Sequence, residues 1–243
     1  MENIIVWDIE TVPQVSLFSE LQKEKMANRI DYYVEKSDMD PGEAERLVAA
    51  TNPFFGQIIC ISMYEISDRF PSGNRSTLVA APKQMKNGLV EPEEKILLED
   101  FWDYVKGFTG TFVGFNSLRF DTWFIQVRSM KHRVEVTNND FLDLRLYQNY
   151  PHYDVMQHLA NWTMNLRPSL ELACEFFGIP TPKEGDVKAD TVAAAFQQGK
   201  IKEIAEYAMR DVEATYEIYK ITKNYLKHQN GNWNKNKDWK NRS

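Results

Sequence analysis

The chain has 243 residues, of which 43% are hydrophobic and 26% charged, which is enough apolar surface for one large globular domain or two small ones. The apolar runs are too short for a membrane-spanning helix, and the first ten residues lack a basic segment followed by a long apolar one, so we expect neither a membrane span nor a secretory signal. The formal net charge of −6, taken alone, argues against nucleic acid as a partner.

The charge is unevenly distributed along the chain. Residues 231–243 carry four Lys or Arg against one Asp, a net +3, which leaves −9 for the remainder. We expect residues 229–243 to form a disordered tail rich in Asn and Lys. The alternative is a basic arm whose Trp233 and Trp239 stack on the bases of single-stranded nucleic acid. Cys60 and Cys174 lie in apolar contexts typical of reduced thiols, so we expect a cytoplasmic location.

The predicted elements begin with a short buried strand at residues 3–7. A charged, helix-prone insertion follows at about 16–55, in which Pro41 suits the first turn of a helix. Two further strands are predicted at 57–66 and 76–81, and the turn sequence PSGN between them predicts a hairpin.

The middle of the chain alternates between helical and extended patterns. It predicts a helix at 93–105, a strand at 111–115 and a helix at 121–132. Residues 133–152 look irregular, with a short helix near 142–148, and a fifth strand is expected to end near Asp154.

Three helices are predicted in the last third of the chain, at 169–177, at about 189–198 and at 201–227. Strands placed early and followed by β/α alternation predict an α/β fold, with a mixed sheet covered by helices on both faces.

Two carboxylates end the first strand, in the sequence WDIET. Residues two apart on a strand point to the same face, so Asp8 and Glu10 should project together. Close carboxylates repel each other unless they are protonated or bridged by a cation, and Mg²⁺ prefers oxygen ligands. A strand that merely runs into solvent is the alternative for this pair.

A third carboxylate follows the fourth strand, in VGFNSLRFD. Asn116 and Ser117 offer helix-capping side chains, and Asp121 begins a helix at the carboxyl end of a strand, where open α/β sheets build their sites. The alternative is that Asp121 only complements the helix dipole.

The fourth carboxylate lies in a long helix, in YAMRD. Tyr207 and Asp211 are four residues apart and should therefore lie side by side, and the apolar neighbours of Asp211 predict a partly buried carboxylate that needs a partner. A solvated Asp on an amphipathic helix is the alternative.

Together these stretches resemble the three exonuclease motifs of the DEDD superfamily, in its tyrosine-bearing branch. The resemblance covers about residues 3–225 and is nearest to the stand-alone predicted 3′→5′ exonucleases related to the proofreading domain of B-family DNA polymerases. The matching motifs are D-x-E-T (Asp8, Glu10, Thr11), F-N-S-x-x-F-D (Phe115, Asn116, Ser117, Phe120, Asp121) and Y-x-x-x-D (Tyr207, Asp211).

The resemblance implies a ribonuclease H-like three-layer fold with a mixed five-stranded sheet, in one domain at 1–228 that carries the insertion at about 16–55. It implies two Mg²⁺ or Mn²⁺ ions that clamp the oxygens of an in-line phosphoryl displacement. Asp8 would bridge the ions, Glu10 and Asp211 would complete the ion that activates water, Asp121 would hold the second ion, and Tyr207 would orient the water.

By the same resemblance, Thr11 and Asn116 would contact the terminal nucleotide. Phe115 or Phe120 could stack on a terminal base, with core packing as the alternative for both. Asp154 lies near His152 and His158, but a third ligand of suitable geometry is not evident, so we expect a structural acid beside the site.

The resemblance therefore implies a metal-dependent 3′→5′ exonuclease that releases nucleoside 5′-monophosphates from single-stranded nucleic acid, and we expect DNA rather than RNA as its substrate and a role in DNA repair. It names no polymerase or repair partner. Two alternatives remain, a non-catalytic nucleic-acid-binding module of the same fold and a metal-dependent small-molecule phosphodiesterase.

Overall fold

A five-stranded mixed sheet forms the centre of the computed structural model, which describes residues 2–14, 18–181 and 191–225. The predicted basic tail and residues 182–190 lie outside this described part. The strands are β1 (Ile4–Pro13), β2 (Gly56–Ile66), β3 (Asn74–Val79), β6 (Thr111–Gly114) and β7 (His152–Asp154). A separate two-stranded ladder joins β4 (Pro82–Gln84) to β5 (Val90–Pro92).

The order of strands in the main sheet is β3-β2-β1-β6-β7. β1, β2 and β3 pair antiparallel, whereas β6 is parallel to both β1 and β7. The predicted hairpin and mixed sheet are confirmed. β1 is longer than predicted, because it stays paired with β2 through Pro13 although its ladder with β6 extends only to Val6.

Eight α-helices occur in the described part of the chain. They are α1 (Glu20–Ser37), α2 (Pro41–Ala50), α3 (Glu94–Tyr104), α4 (Asp121–His132), α5 (Val155–Leu159), α6 (Leu170–Phe177), α7 (Val192–Gln197) and α8 (Ile201–Thr222). No helix in that part combines the length and the apolar character of a membrane span. The prediction of a helix near 142–148 is wrong, because this part of the chain forms only a 3₁₀ turn at Asp140–Leu142.

The helix ends follow local capping rules. Asp40 caps α2 by accepting from two backbone N–H groups, with Pro41 at the first helical position as predicted. Ser169 caps α6, and Gly178 ends that helix in the left-handed conformation.

Helices cover both faces of the sheet, which gives the three layers that were predicted. The odd-numbered side chains of β1, such as Ile5 and Trp7, pack against α3 and α4. The even-numbered side chains Ile4 and Val6 pack against α6 and α8. Val12 continues this second face against the beginning of α8. The apolar face of β1 toward α8 is therefore interrupted only between Val6 and Val12.

A buried ion pair fixes α4 against α3 and β2. Glu94 accepts from the guanidinium of Arg128, with the shortest contact at 2.5 Å, and from the backbone N–H of Ile58 at 2.8 Å. Both charged side chains are 1% exposed, and Arg128 also donates to the carbonyl of Pro53. His132 Nε2 contacts the same Glu94 carboxylate at 2.7 Å.

Candidate active site

The two residues that interrupt the apolar face of β1 are the paired acids. Asp8 and Glu10 alternate with Val6 and Val12 along the strand, so their carboxylates project toward α8. Glu10 is 9% exposed, and Asp8 is half-buried. The predicted common direction of the pair is confirmed.

α8 brings the third acid to the same place. α8 crosses this face with Ile204 and Ala208 near Val12 and with Val212 near Val6, which places the intervening turn over the acids. Asp8, Glu10 and Asp211 each offer a carboxylate oxygen, and these oxygens lie within 4.8 Å of one another. We refer to these three residues as the acidic cluster.

A fourth acid, Asp121, lies beside the acidic cluster and belongs to a helix on the opposite face of the sheet. It is 2% exposed at the first position of α4, and its Oδ1 accepts from the backbone N–H of Ile9 at 3.1 Å. Ile9 lies between the two acids of β1 and beyond the last β1 residue that pairs with β6. Asp121 is not part of the 4.8 Å group, but its charge raises the pKa of Asp8 more than any other charge does.

Negative charge is concentrated at the four acids, and the charge of Arg210 offsets it only in part, at Asp211. Burial, followed by the neighbouring carboxylates, raises the pKa values of Asp8 and Glu10 well above their ordinary values. Burial raises the pKa of Asp121 to about 7, although the N–H of Ile9 opposes the shift. Burial likewise raises the pKa of Asp211 to about 6, against the hydrogen bond from Tyr207. Such a site favours protons or a cation.

The donor set fits a hard divalent cation. Carboxylate oxygens are the preferred ligands of Mg²⁺ and Mn²⁺. Three such oxygens converge in the acidic cluster, and a fourth carboxylate borders it. A bound cation would offset the repulsion that raises these pKa values.

Tyr207 completes the arrangement on α8, one turn before Asp211. Its hydroxyl hydrogen-bonds to the Asp211 carboxylate, and the residue is 9% exposed. Burial and the neighbouring charges of Asp211, Glu10 and Asp8 raise the pKa of the phenol further above its already high ordinary value. Tyr207 therefore keeps its proton at neutral pH and acts as a hydrogen-bonding group. The predicted pairing of Tyr207 with Asp211 is confirmed.

The loop between β6 and α4 differs from the prediction in its capping. Phe120 is the capping position of α4 and makes no side-chain cap, so the predicted capping by Asn116 and Ser117 side chains is wrong. The loop inserts a turn before the helix, and the backbone carbonyls of Asn116 and Ser117 accept from Phe120 and Thr122 instead. Gly114 is needed here because a Cβ would approach the Ser117 side chain to 2.4 Å.

The four residues expected to contact nucleotide occupy different environments. Thr11 donates its hydroxyl to the carbonyl of Ala50 at 2.7 Å, which ties the end of β1 to α2. Phe120 packs partly into the core beside α4, and Phe115 packs partly into the core beside α8. Both rings are half-buried, and so is Asn116. Their contacts with a nucleotide stay a prediction.

Asp154 is a structural acid, as predicted. It is fully buried at the end of β7 and accepts from three backbone N–H groups, those of Asn116, Leu118 and Gln157. His152 donates to the carbonyl of Phe141 instead of facing Asp154. The sequence carried no signal for the bonds from Asp154 to the loop, because they span nearly forty residues.

The fold and the site define a class. The sheet order and the helices on both faces are those of a ribonuclease H-like exonuclease fold. By similarity of fold, the chain aligns with the family B DNA polymerase of Pyrobaculum calidifontis at a TM-score of 0.56 and 14% identity. That alignment covers 91% of this chain and 24% of the polymerase.

A second similar structure is E. coli exonuclease I, in a zinc-bound complex with single-stranded DNA. The TM-score is 0.50 at 13% identity, over 93% of this chain and 41% of that protein. The chain thus spans less than half of either solved structure. At these identities the likeness establishes the fold alone.

The family follows from the sequence match. Residues 54–236 match the family described as "Predicted 3'-5' exonuclease related to the exonuclease domain of PolB", and the chain belongs to that family. A protein of Methanocaldococcus jannaschii described as uncharacterised is 31% identical over 143 residues, which cover 55% of this chain and 76% of that protein. Family membership supports nuclease activity. Asp8 and Glu10 precede the matched range, so their assignment depends on the geometry of β1.

Proposed function

We propose that this protein is a metal-dependent 3′→5′ exonuclease that hydrolyses the terminal phosphodiester of single-stranded nucleic acid and releases nucleoside 5′-monophosphates. The observation that carries the proposal is the acidic cluster, in which acids from the beginning and the end of the chain converge within 4.8 Å. Family membership supports the reaction class.

The position of each acid determines which cation it would hold. Asp8, Glu10 and Asp211 would hold one divalent cation, and Asp8 with Asp121 would hold a second one. Bound Mg²⁺ or Mn²⁺ supplies Lewis acidity to the phosphoryl group and acidifies a water nucleophile. Without bound cations the acidic cluster would repel the phosphodiester, so substrate binding would depend on the cations that these acids hold.

Tyr207 orients the nucleophile in this proposal. Its hydroxyl is already held by Asp211, so it can present a fixed oxygen to a water that approaches the scissile phosphate. Its raised pKa favours positioning of the water over action as a general base near neutral pH. Thr11 and Asn116 would contact the terminal nucleotide, and Phe115 or Phe120 would stack on its base.

DNA is the favoured substrate in the proposal because the similar exonuclease I structure holds single-stranded DNA. A role in DNA repair and a cytoplasmic location remain predictions. We further propose that residues 1–228 form one catalytic domain, in which α1 and α2 are the helical insertion, and that residues 229–243 form a separate basic tail.

A cleavage panel tests the function. Single- and double-stranded DNA and RNA, labelled at the 5′ or the 3′ end, are incubated with Mg²⁺, with Mn²⁺ or with EDTA. We expect 5′-labelled single-stranded DNA to shorten in steps from its 3′ end, and EDTA to stop the reaction. A double variant, Asp8→Ala with Asp121→Ala, serves as the inactive control.

Three results would contradict the proposal. Binding without cleavage would favour a non-catalytic binding module. Hydrolysis of a chromogenic phosphodiester without cleavage of any oligonucleotide would favour a small-molecule phosphodiesterase. Cleavage by the double variant equal to that of the wild type would exclude the acids as the site.

A further inference from the structure

Asp154 holds the loop that leads to Asp121. One carboxylate oxygen, Oδ1, accepts from the N–H of Asn116, and the other, Oδ2, accepts from the N–H of Leu118, each at 3.0 Å. Oδ1 also accepts from the N–H of Gln157 at 3.0 Å and so caps α5. A single buried side chain therefore links β7, the loop after β6 and α5.

The loop needs such support because its backbone is strained. Asn116 has a φ of 66°, in the left-handed region that costs a non-glycine residue about 1 kcal/mol. The bonds from Asp154 act on this residue and on the residue two positions further along. The loop is also packed closely, since Gly114 leaves no room for a Cβ beside Ser117.

The position of Asp121 follows from this loop. α4 has no side-chain cap, and its first turn is held by the carbonyls of Asn116 and Ser117, which accept from Phe120 and Thr122. Asp121 stands between those two donors and reaches Ile9 at 3.1 Å. A shift of the loop would move this carboxylate relative to β1.

The other three acids do not depend on the loop. Asp8 and Glu10 belong to β1, whose ladder with β2 runs through both residues. Asp211 belongs to α8 and is hydrogen-bonded to Tyr207. The support from Asp154 therefore acts on one of the four acids.

We propose that Asp154 is a positioning residue that sets Asp121, and through it the second cation, while leaving the acidic cluster unaffected. This inference rests on the proposed function. Groups that orient metal ligands typically contribute about 10- to 100-fold to metal affinity or activity.

Two substitutions separate the loop bonds from the helix cap. In Asp154→Asn, the amide can keep the bonds that Oδ1 accepts, but its NH₂ group would face the N–H of Leu118. In Asp154→Ser, the hydroxyl can still cap α5 at Gln157, but it is too short to hold the loop. Ser169→Ala is the control, because it removes a helix cap from α6, away from the loop.

The decisive experiment is a double-mutant cycle on Mn²⁺ binding, measured by calorimetry on the metal-free protein. We expect Asp154→Ser to weaken Mn²⁺ binding about 10-fold at the same cation whose binding Asp121→Asn weakens. Asp154→Asn should weaken this binding less, and Ser169→Ala should leave it unchanged. Because Asp154 acts through Asp121, adding Asp154→Ser to Asp121→Asn should cause no further loss. Adding Asp8→Asn to Asp121→Asn should remove the Mn²⁺ binding that remains.

Additive losses in the cycle would overturn the proposal, and so would wild-type Mn²⁺ binding by Asp154→Ser. If Asp154→Ser does not fold, Asp154→Asn takes its place in the cycle, and a failure of both to fold would show a role wider than Asp121. The cycle measures binding, so it decides on Asp154 even if the wild-type protein cleaves no oligonucleotide. Only the cleavage panel bears on the reaction itself.

Discussion

The carboxylate of Asp121 is hydrogen-bonded to the backbone N–H of Ile9, the residue between the two acids of β1. This bond joins a helix from one face of the sheet to the strand whose acids point toward the other face. It stabilises the ionised form of Asp121 and fixes one of its oxygens. The bond thereby holds Asp121 beside the acidic cluster, so that acids from three distant stretches of sequence lie close to one another.

Removal of one acid of the acidic cluster should lower the cleavage activity and raise the stability of the metal-free protein. Asp8→Asn is expected to lower cleavage of single-stranded DNA more than about 100-fold, because it removes a ligand that both cations would share. The same change relieves repulsion, so the free energy of unfolding of the metal-free protein near pH 8 should rise by about 1 kcal/mol. Urea unfolding in EDTA measures this second effect.

The matched control for this prediction is Asp100→Asn, which removes an exposed carboxylate from α3. It should change neither quantity. Loss of stability in Asp8→Asn would contradict the concentrated negative charge inferred for the acidic cluster.

Stability should depend on pH and metal together. The folded pKa values of Asp121 and Asp211, about 7 and about 6, lie above their ordinary 3.8, so at these two acids the metal-free folded state binds more protons than the unfolded state in this range. The contribution of these two acids to the free energy of unfolding therefore falls as the pH rises from about 4 to about 7, whereas the lowered pKa of His152 acts in the opposite direction. A bound cation requires ionised ligands, so the increase in Tm caused by Mn²⁺ should be larger at about pH 8 than at about pH 5.

Thermal unfolding with Mn²⁺ or with EDTA at the two pH values checks this prediction. In a variant that combines Asp8→Asn with Asp211→Asn, the effect of Mn²⁺ should disappear at both pH values. An equal increase in Tm at both pH values in the wild type would exclude ligands with raised pKa values.

Tyr207→Phe tests the role of the phenol. We expect turnover to fall about 10-fold or more while Mn²⁺ affinity stays within about twofold, because in the proposed function the hydroxyl would position water and would not be a metal ligand. Tyr219→Phe is the control on the same helix, where the hydroxyl donates to Glu2 at 2.5 Å instead of facing the acids. Its turnover should equal that of the wild type. If calorimetry and cleavage assays show that Tyr207→Phe weakens Mn²⁺ binding more than it slows turnover, the assignment is reversed.

The buried ion pair should matter for folding. Glu94→Gln leaves the guanidinium of Arg128 buried without its counter-charge, so the free energy of unfolding should fall by about 3 kcal/mol or more. Glu99→Gln breaks an exposed pair with Lys95 and should cost less than about 1 kcal/mol. Urea unfolding of both variants tests the contrast, and similar losses would show that burial does not strengthen the Glu94 pair.

Much of the site could be predicted because two short spacings between residues, one on a strand and one on a helix, determine which side chains lie together. A repeat of two along β1 directs Asp8 and Glu10 to one face, and a spacing of four along α8 brings Tyr207 beside Asp211. These relationships are local, and the structure confirms both. That β1 and α8 meet at this level depends on tertiary packing, which the resemblance to known exonuclease motifs supplied.

The missed features depend on contacts between distant residues. β1 was predicted to end at residue 7 because polar side chains follow, yet its ladder with β2 continues to Pro13. β4 and β5 have three residues each, with a proline in both, and carry no strand pattern of their own. The bond from Asp121 to Ile9 and the bonds from Asp154 to the loop likewise leave no periodic signal.

The acidic cluster joins Glu10 in β1 to Asp211 in α8, about 200 residues later. A polypeptide that is still being made, or that has been cut before α8, contains the sequence of every strand of the sheet but lacks Asp211 and Tyr207. Under the proposed function, such partial products should not hydrolyse nucleic acids, and hydrolytic capacity should arise only when α8 has docked on β1.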